Sequence, residues 1–247
     1  MFSDSIKSGL ENLGLKKGDK MLVHASLKSV GKLQDAAKAV TDAFLGILGN
    51  EGTLLMPALS YSSVTKENPI FDWEDTPSCV GGLSEYFRTR TGAIRSIHPT
   101  HSVCALGKEA GYFIESHFSD RTPVGANSPF FKLMQAKGKV LFLGCGLKPN
   151  TSMHGVEELV KPPYLFGEER EYTLHISSDE RIKKTYTPHG FAGYIQRYDR
   201  LLDVLSPEDY RIGKVLEAEV FLLDCEAFWK KAAEVLRQDP FYFVDRA

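Results

Sequence analysis

Cysteine is scarce in this sequence: Cys79, Cys104, Cys145 and Cys225 are the only four in 247 residues, and no two form a C-x-x-C pair. That spacing excludes a zinc knuckle and offers no disulfide framework, so most of these cysteines are expected to be small core residues. Long apolar runs are missing too. Nothing approaches the roughly 20 residues of a membrane span, and Met1 to Lys20 lacks the apolar centre of a secretory leader. A cytoplasmic location and no membrane partner are expected. Neither sign of charge is in excess, with 30 Lys and Arg against 32 Asp and Glu and a formal charge of −2. Without a block of like charge the chain has no electrostatic footprint for nucleic acid, and no such partner is expected. Repeats, low-complexity segments, a Walker loop and a G-x-G-x-x-G turn are all absent.

What is present suits one α/β domain over residues 1–247, since 43% hydrophobic content at this length can bury a large core. KMLVHA (20–25) and TLLMPAL (53–59) read as strands, and AAKAVTDAFLGIL reads as a helix capped by Asp35. SVCAL (102–106), VLFLG (140–144) and AEVFLL (218–223) are further strands, and Asp224 caps the helix CEAFWKKAAEVLRQ. Residues 108–117 read as a helix, PFFKLMQA as another, and 171–176 with 182–186 as a β-hairpin.

Residues 141–158, LFLGCGLKPNTSMHGVEE, concentrate the chemistry. An apolar strand passes through a Gly-rich turn into a helix, and function in open α/β sheets gathers at such strand ends. With Asn150 or Thr151 as cap, His154 falls in the first turn and Glu157 and Glu158 follow three and four residues on. An imidazole and a carboxylate on one helix face suit general-base work, and equally suit an ordinary solvated helix.

Two other stretches gather polar groups beside strands. Ser26, Ser29 and Gly31, flanked by Lys28 and Lys32, crowd a strand-to-helix turn of the kind that holds a phosphate, or forms a plain βα loop. RSIHPTHSV (95–103) sets Arg95, Thr100 and Ser102 before a strand, in reach of a phosphate or pantetheine. Its His98-x-x-His101 pair invites a metal, but Pro99 argues against the helix that would align the rings and no third ligand has diagnostic spacing, so no metal is expected. The irregular loop 60–78 carries Asp72, Trp73, Glu74 and Asp75, suited to a cationic or sugar-like acceptor or simply to solvent.

Taken together, HASLKSVG from His24, GTLLMPAL from Gly52, TPSCVGGLSEYFR from Thr76, RSIHPTHSVCALG from Arg95, GANSPFFKL from Gly125, VLFLG from Val140 and TSMHGVEE from Thr151 resemble the antibiotic N-acetyltransferase family, that of the aminoglycoside 3-N-acetyltransferases. The resemblance implies a three-layer α/β/α sandwich with a central mixed sheet, distinct from the GNAT fold. It implies acetyl-CoA as co-substrate without a metal, and a small-molecule amine as acceptor. His154, in the pattern T-x-x-H-x-x-E, is then the base and Glu157 its orienting carboxylate. The coenzyme A contacts implied are His24, Ser26, Leu27, Ser29, Val30 and Gly31 in one loop and Arg95, Pro99, Thr100, His101, Ser102 and Val103 in the other. Asp72, Glu74, Glu158, His189 and Arg197 are the candidates for the acceptor side.

The chain departs from the family after Glu158, where TPHGFAGYIQRYDRL stands in place of an acidic segment. Arg197 and Arg200 there are expected to repel a polycation and to favour an amino sugar or a related small amine. Backbone N–H groups of the Gly-rich turn or the HPTHS loop are expected to stabilise the oxyanion. Two other readings remain: a cysteine-dependent acyltransferase or hydrolase using Cys145 with His154 as its base, and a non-catalytic coenzyme A or nucleotide-binding module.

Overall fold

The computed structural model of the chain describes residues 2–32 and 34–247. Its strands are β1 (Lys20–Ala25), β2 (Thr53–Pro57), β3 (Ile70–Asp72), β4 (Ile94–Arg95), β5 (Val103–Gly107), β6 (Lys139–Leu143), β7 (Arg170–His175), β8 (Arg181–Tyr186), β9 (Tyr194–Gln196), β10 (Tyr210–Val215), β11 (Ala218–Asp224) and β12 (Val244–Arg246). The helices are α1 (Phe2–Asn12), α2 (Ala36–Leu48), α3 (Gly82–Arg88), α4 (Ala110–Ile114), α5 (Pro129–Gln135), α6 (Met153–Val160), α7 (Leu201–Val204) and α8 (Cys225–Gln238).

Seven strands form a central mixed sheet in the order β10-β11-β6-β1-β2-β5-β4. β6, β1 and β2 run parallel, and the outer pairings are antiparallel. Alternation along each strand divides the core between the two faces. Val140 and Phe142 of β6 join Phe113, Phe130, Val156 and Trp229 from α4, α5, α6 and α8. Leu141 and Leu143 join Leu10, Phe44 and Phe87 from α1, α2 and α3. Those four β6 side chains are fully buried, each contributing roughly 1.5–3 kcal/mol, so β6 is covered on both sides and its unbroken apolar run is explained. The result is the helix-covered mixed sheet expected from the sequence.

The hairpin of β7 and β8 forms as expected, but β3 adds to it in parallel, making a separate three-stranded sheet. Asp224 caps α8 by accepting from the Ala227 N–H at 2.9 Å. Three local expectations are corrected. Asp35 precedes α2 in a left-handed conformation, φ 51°, and its side chain makes no capping bond. The helix expected over 108–117 shortens to α4, and a separate turn follows at His117–Ser119. Finally, neither Asn150 nor Thr151 is the cap of α6. Ser152 holds that position, already helical, and its hydroxyl accepts from Trp229 Nε1 at 2.9 Å.

Two glycines allow the close approaches that place the site. Gly144 has φ 65°, and a Cβ there would lie 2.4 Å from the Cβ of Ser29, so the turns after β1 and β6 pack together only because it has none. Gly155 of α6 faces Trp229, where a Cβ would stand 2.1 Å from the ring. Gly155→Ala is therefore expected to destabilise the protein by about 1–3 kcal/mol or more through overpacking, lowering the thermal midpoint by several degrees. An unchanged midpoint would mean that Trp229 yields freely.

Candidate active site

A cavity of about 500 Å³ opens where β1 and β6 end. His24 and Ala25 come from the end of β1, and Cys145, Lys148, Asn150, Thr151 and His154 come from the turn after β6 and the start of α6. His101, His189, Phe191, Gln196 and Tyr198 close the other sides.

His154 is fixed by a polar triangle. Its Nδ1 lies 3.1 Å from Glu157 Oε2 and 2.9 Å from the Tyr198 hydroxyl, which itself donates to Glu157 Oε2 at 2.7 Å. Tyr164 donates to the other carboxylate oxygen at 3.1 Å. Glu157 is completely buried, and a buried carboxylate needs such donors. Burial, reinforced by Glu157, pushes both phenols well above their ordinary range, so they remain donors. Assigned from this network, the Nδ1 proton faces Glu157 and Tyr198 and leaves the Nε2 lone pair to the cavity.

A second imidazole and carboxylate stand beside the first. His189 Nε2 is 2.8 Å from Glu158 Oε1, which also accepts from the Val124 N–H at 2.7 Å, while Thr122 donates to Glu158 Oε2. One nitrogen from each of His101, His154 and His189 lies within 4.8 Å of one from each of the others. His101 Nδ1 is 2.8 Å from the Thr100 hydroxyl. Burial first, and neighbouring imidazoles second, hold His101 and His189 well below the usual histidine range, so both are neutral rings.

Of the expected coenzyme A contacts, His24 and His101 line the cavity. Burial pulls His24 down to about 3, and its ring stacks on Phe142. Ser26, Leu27, Ser29, Val30 and Gly31 form the adjoining turn, where the Ser29 hydroxyl donates to the Gly144 carbonyl at 2.7 Å and Val30 is buried in the core. The other loop is corrected. Arg95 is buried and spends its guanidinium on the carbonyls of Thr76 at 2.6 Å, Ala58 at 3.0 Å and Trp73 at 3.2 Å and on the Ser102 hydroxyl at 2.8 Å. Ser102 in turn donates to the Ala58 carbonyl, the Pro99 carbonyl accepts from Ser60, and Val103 lies in the core. Arg95, Pro99, Ser102 and Val103 thus tie the loop to β2 and stay outside the cavity lining.

The acceptor candidates divide likewise. His189 and Glu158 are at the site, but Asp72 and Glu74 are not. Asp72 Oδ1 accepts from the Glu74 and Asp75 N–H groups, closing a local turn, and Glu74 is exposed. Arg197 is also outside the lining, paired with Asp199 and Asp245, and Arg200 is paired with Asp245. The expected repulsion of a polycation by these arginines therefore falls away, because their charges are locally neutralised. His98 is structural too, its Nδ1 accepting from the N–H groups of Thr100 and His101. The sequence marks Asn150 only as a cap candidate and gives no sign of Tyr164, and it does not point to Tyr198 as a partner of His154, because no periodicity links residues 44 positions apart.

Cys145 reaches the cavity, but burial pushes its thiol up to about 12, the reverse of what activates a nucleophile.

A mixed α/β sandwich with a carboxylate-backed imidazole in a cavity at its strand ends has the parts for base-assisted chemistry on a small molecule. The chain belongs to the aminoglycoside 3-N-acetyltransferase family, whose family model matches residues 22–237. It is similar to the SPbeta prophage-derived aminoglycoside N(3')-acetyltransferase-like protein YokD of Bacillus subtilis (strain 168), 31% identical over 173 residues, covering 62% of this chain and 63% of that one. It is also similar to aminoglycoside N(3)-acetyltransferase IX of Micromonospora chalcea, 32% identical over 171 residues, with 62% and 60% covered. The matched stretch thus spans less than two thirds of the length of these relatives. Among solved structures, AAC-IIIb in a binary complex with CoASH superposes with a TM-score of 0.83 at 26% identity, covering 96% of this chain and 97% of that one. No helix of the described residues is long and apolar enough to cross a membrane.

Proposed function

We propose that this chain is an acetyl-CoA-dependent N-acetyltransferase in which His154 is the general base, acting on an amine of an amino sugar or aminoglycoside-like acceptor. The observation that carries this reading is the His154, Glu157 and Tyr198 triangle at the cavity. The names of its relatives and the CoASH complex of AAC-IIIb support the co-substrate. The acceptor amine attacks the thioester carbonyl, His154 Nε2 takes the proton the amine loses, and Glu157 stabilises the imidazolium from behind. That proton then passes to the departing thiolate, with no covalent acyl-enzyme. His24 and His101 meet the reactive end of the co-substrate, and His189, backed by Glu158, faces the acceptor.

The lining residues bring several neutral imidazoles and one ammonium, Lys148, to the acceptor. The carboxylates beside the cavity, Glu157 and Glu158, already accept hydrogen bonds on both of their oxygens. Each ammonium taken from water needs an anionic partner, so an acceptor with a single amine suits this cavity better than a polycation.

The test is thiol release from acetyl-CoA across a panel of simple amino sugars, nucleotide-linked amino sugars and aminoglycosides. Release that depends on an amine is expected, strongest with monoamines, and no release with any of them overturns the reading. In the same assay Cys145→Ser is expected to keep turnover within about threefold and to show no burst. Loss of activity there would restore the cysteine mechanism.

A further inference from the structure

Six buried side-chain polar atoms of the described residues have no hydrogen-bond partner, and four belong to residues lining this cavity: His24 Nε2, His189 Nδ1 and both Nδ2 and Oδ1 of Asn150. Buried polar groups are almost always paired, and an unpaired amide weakens a fold. A gathering of such groups on one cavity means that they are kept for something that arrives there. Asn150 is the extreme case, fully buried with its whole carboxamide uncommitted.

The proposed transfer also needs a donor for the oxyanion, and three of the expected backbone donors are occupied. The Gly144 N–H donates to the Glu219 carbonyl at 2.8 Å, and those of Thr100 and His101 donate to His98 Nδ1. Asn150 sits one helical turn before His154, and its own carbonyl accepts from the Met153 N–H at 3.0 Å, so donor and base belong to one rigid segment. The amide is held out of water and meets developing charge without competition from solvent.

We infer that Asn150 is a catalytic residue whose Nδ2 donates to the thioester carbonyl oxygen as that oxygen becomes negative. The inference rests on the acetyl-transfer reading above. As the amine nitrogen bonds to the carbonyl carbon, the C=O π pair moves onto oxygen and is held by Asn150. When the pair returns, the C–S bond breaks and the thiolate leaves, to be protonated from His154. Asn150 itself gains and loses no proton.

Asn150→Leu keeps the branching at Cγ and removes the polar atoms. Its turnover is expected to fall on the order of a hundredfold or more, while KM for acetyl-CoA stays within about threefold. Its thermal midpoint is expected to hold or rise by about 2–4 °C, because an unpaired buried amide is gone. A structural asparagine would do the opposite, so a lowered midpoint overturns the proposal. Asn150→Asp, which puts a carboxylate where the donor stood, is expected to lose at least as much turnover. Turnover of Asn150→Leu within about tenfold of the unaltered protein sinks this proposal alone. Absence of amine-dependent release by the unaltered protein sinks the transfer reading and this proposal with it.

Discussion

His154→Ala is expected to bind acetyl-CoA within about threefold of the unaltered protein while turning over on the order of a hundredfold or more slowly, the share of a positioned general base. The ring makes its polar contacts with Glu157 and Tyr198 and its aromatic contacts with His101, His189 and Phe191. Removing it widens the cavity without opening the apolar core, and Tyr198 and Tyr164 still donate to Glu157. Glu157 therefore keeps two donors, which separates a chemical loss from a folding loss. Equilibrium binding by calorimetry and single-turnover kinetics check both halves of the statement. Turnover within about fivefold of normal would make His154 a structural residue and end the base mechanism.

The sheet was legible wherever burial on both sides demands a continuous apolar run, as in β6, and α8 was legible because Asp224 and the apolar periodicity mark the same start. The parallel pairing of β3 with β7 was not, because it joins residues 103 positions apart and three residues carry no period. At the site, the local pattern T-x-x-H-x-x-E placed His154 and Glu157 correctly side by side. The HPTHS loop misled for a definite reason. An arginine next to serine and threonine announces a need for acceptors, but the sequence does not say whether those are phosphate oxygens or carbonyls of its own chain. In Arg95 they are carbonyls, and burial lowers the guanidinium to about 10. The acidic loop misled in the same way, since Asp72 meets the need of its neighbours' N–H groups rather than that of a ligand.

Acidification is expected to unfold this protein early, with the midpoint falling by about 20 °C or more between pH 7.5 and 5. Five histidines, His24, His98, His101, His117 and His189, are buried and held below the ordinary range, first by desolvation. For His24 and His117 the value falls to about 3. In the folded chain these rings stay neutral, whereas in the unfolded chain each takes up a proton below roughly pH 6.5. The unfolded state then binds more protons, so the stability is fully present above that pH and is lost as pH falls towards the folded-state values. Each ring withdraws up to about 1.4 kcal/mol per pH unit, and five together withdraw about 7. A domain of this size has roughly 5–15 kcal/mol to lose, so one to two units of acidification suffice. His98 and His117 cannot escape by titrating in place. His98 Nδ1 accepts from two backbone N–H groups and is stacked 5.0 Å from His117, whose Nδ1 is 2.9 Å from the Ser96 hydroxyl. A charge on either ring faces the other at close range with no carboxylate hydrogen-bonded to either. Thermal midpoints across this pH range, with proton uptake on unfolding measured by calorimetry in two buffers, decide the matter. An uptake approaching five protons near pH 5.5 is expected, and a midpoint that stays level from pH 7.5 to 5.5 would falsify it.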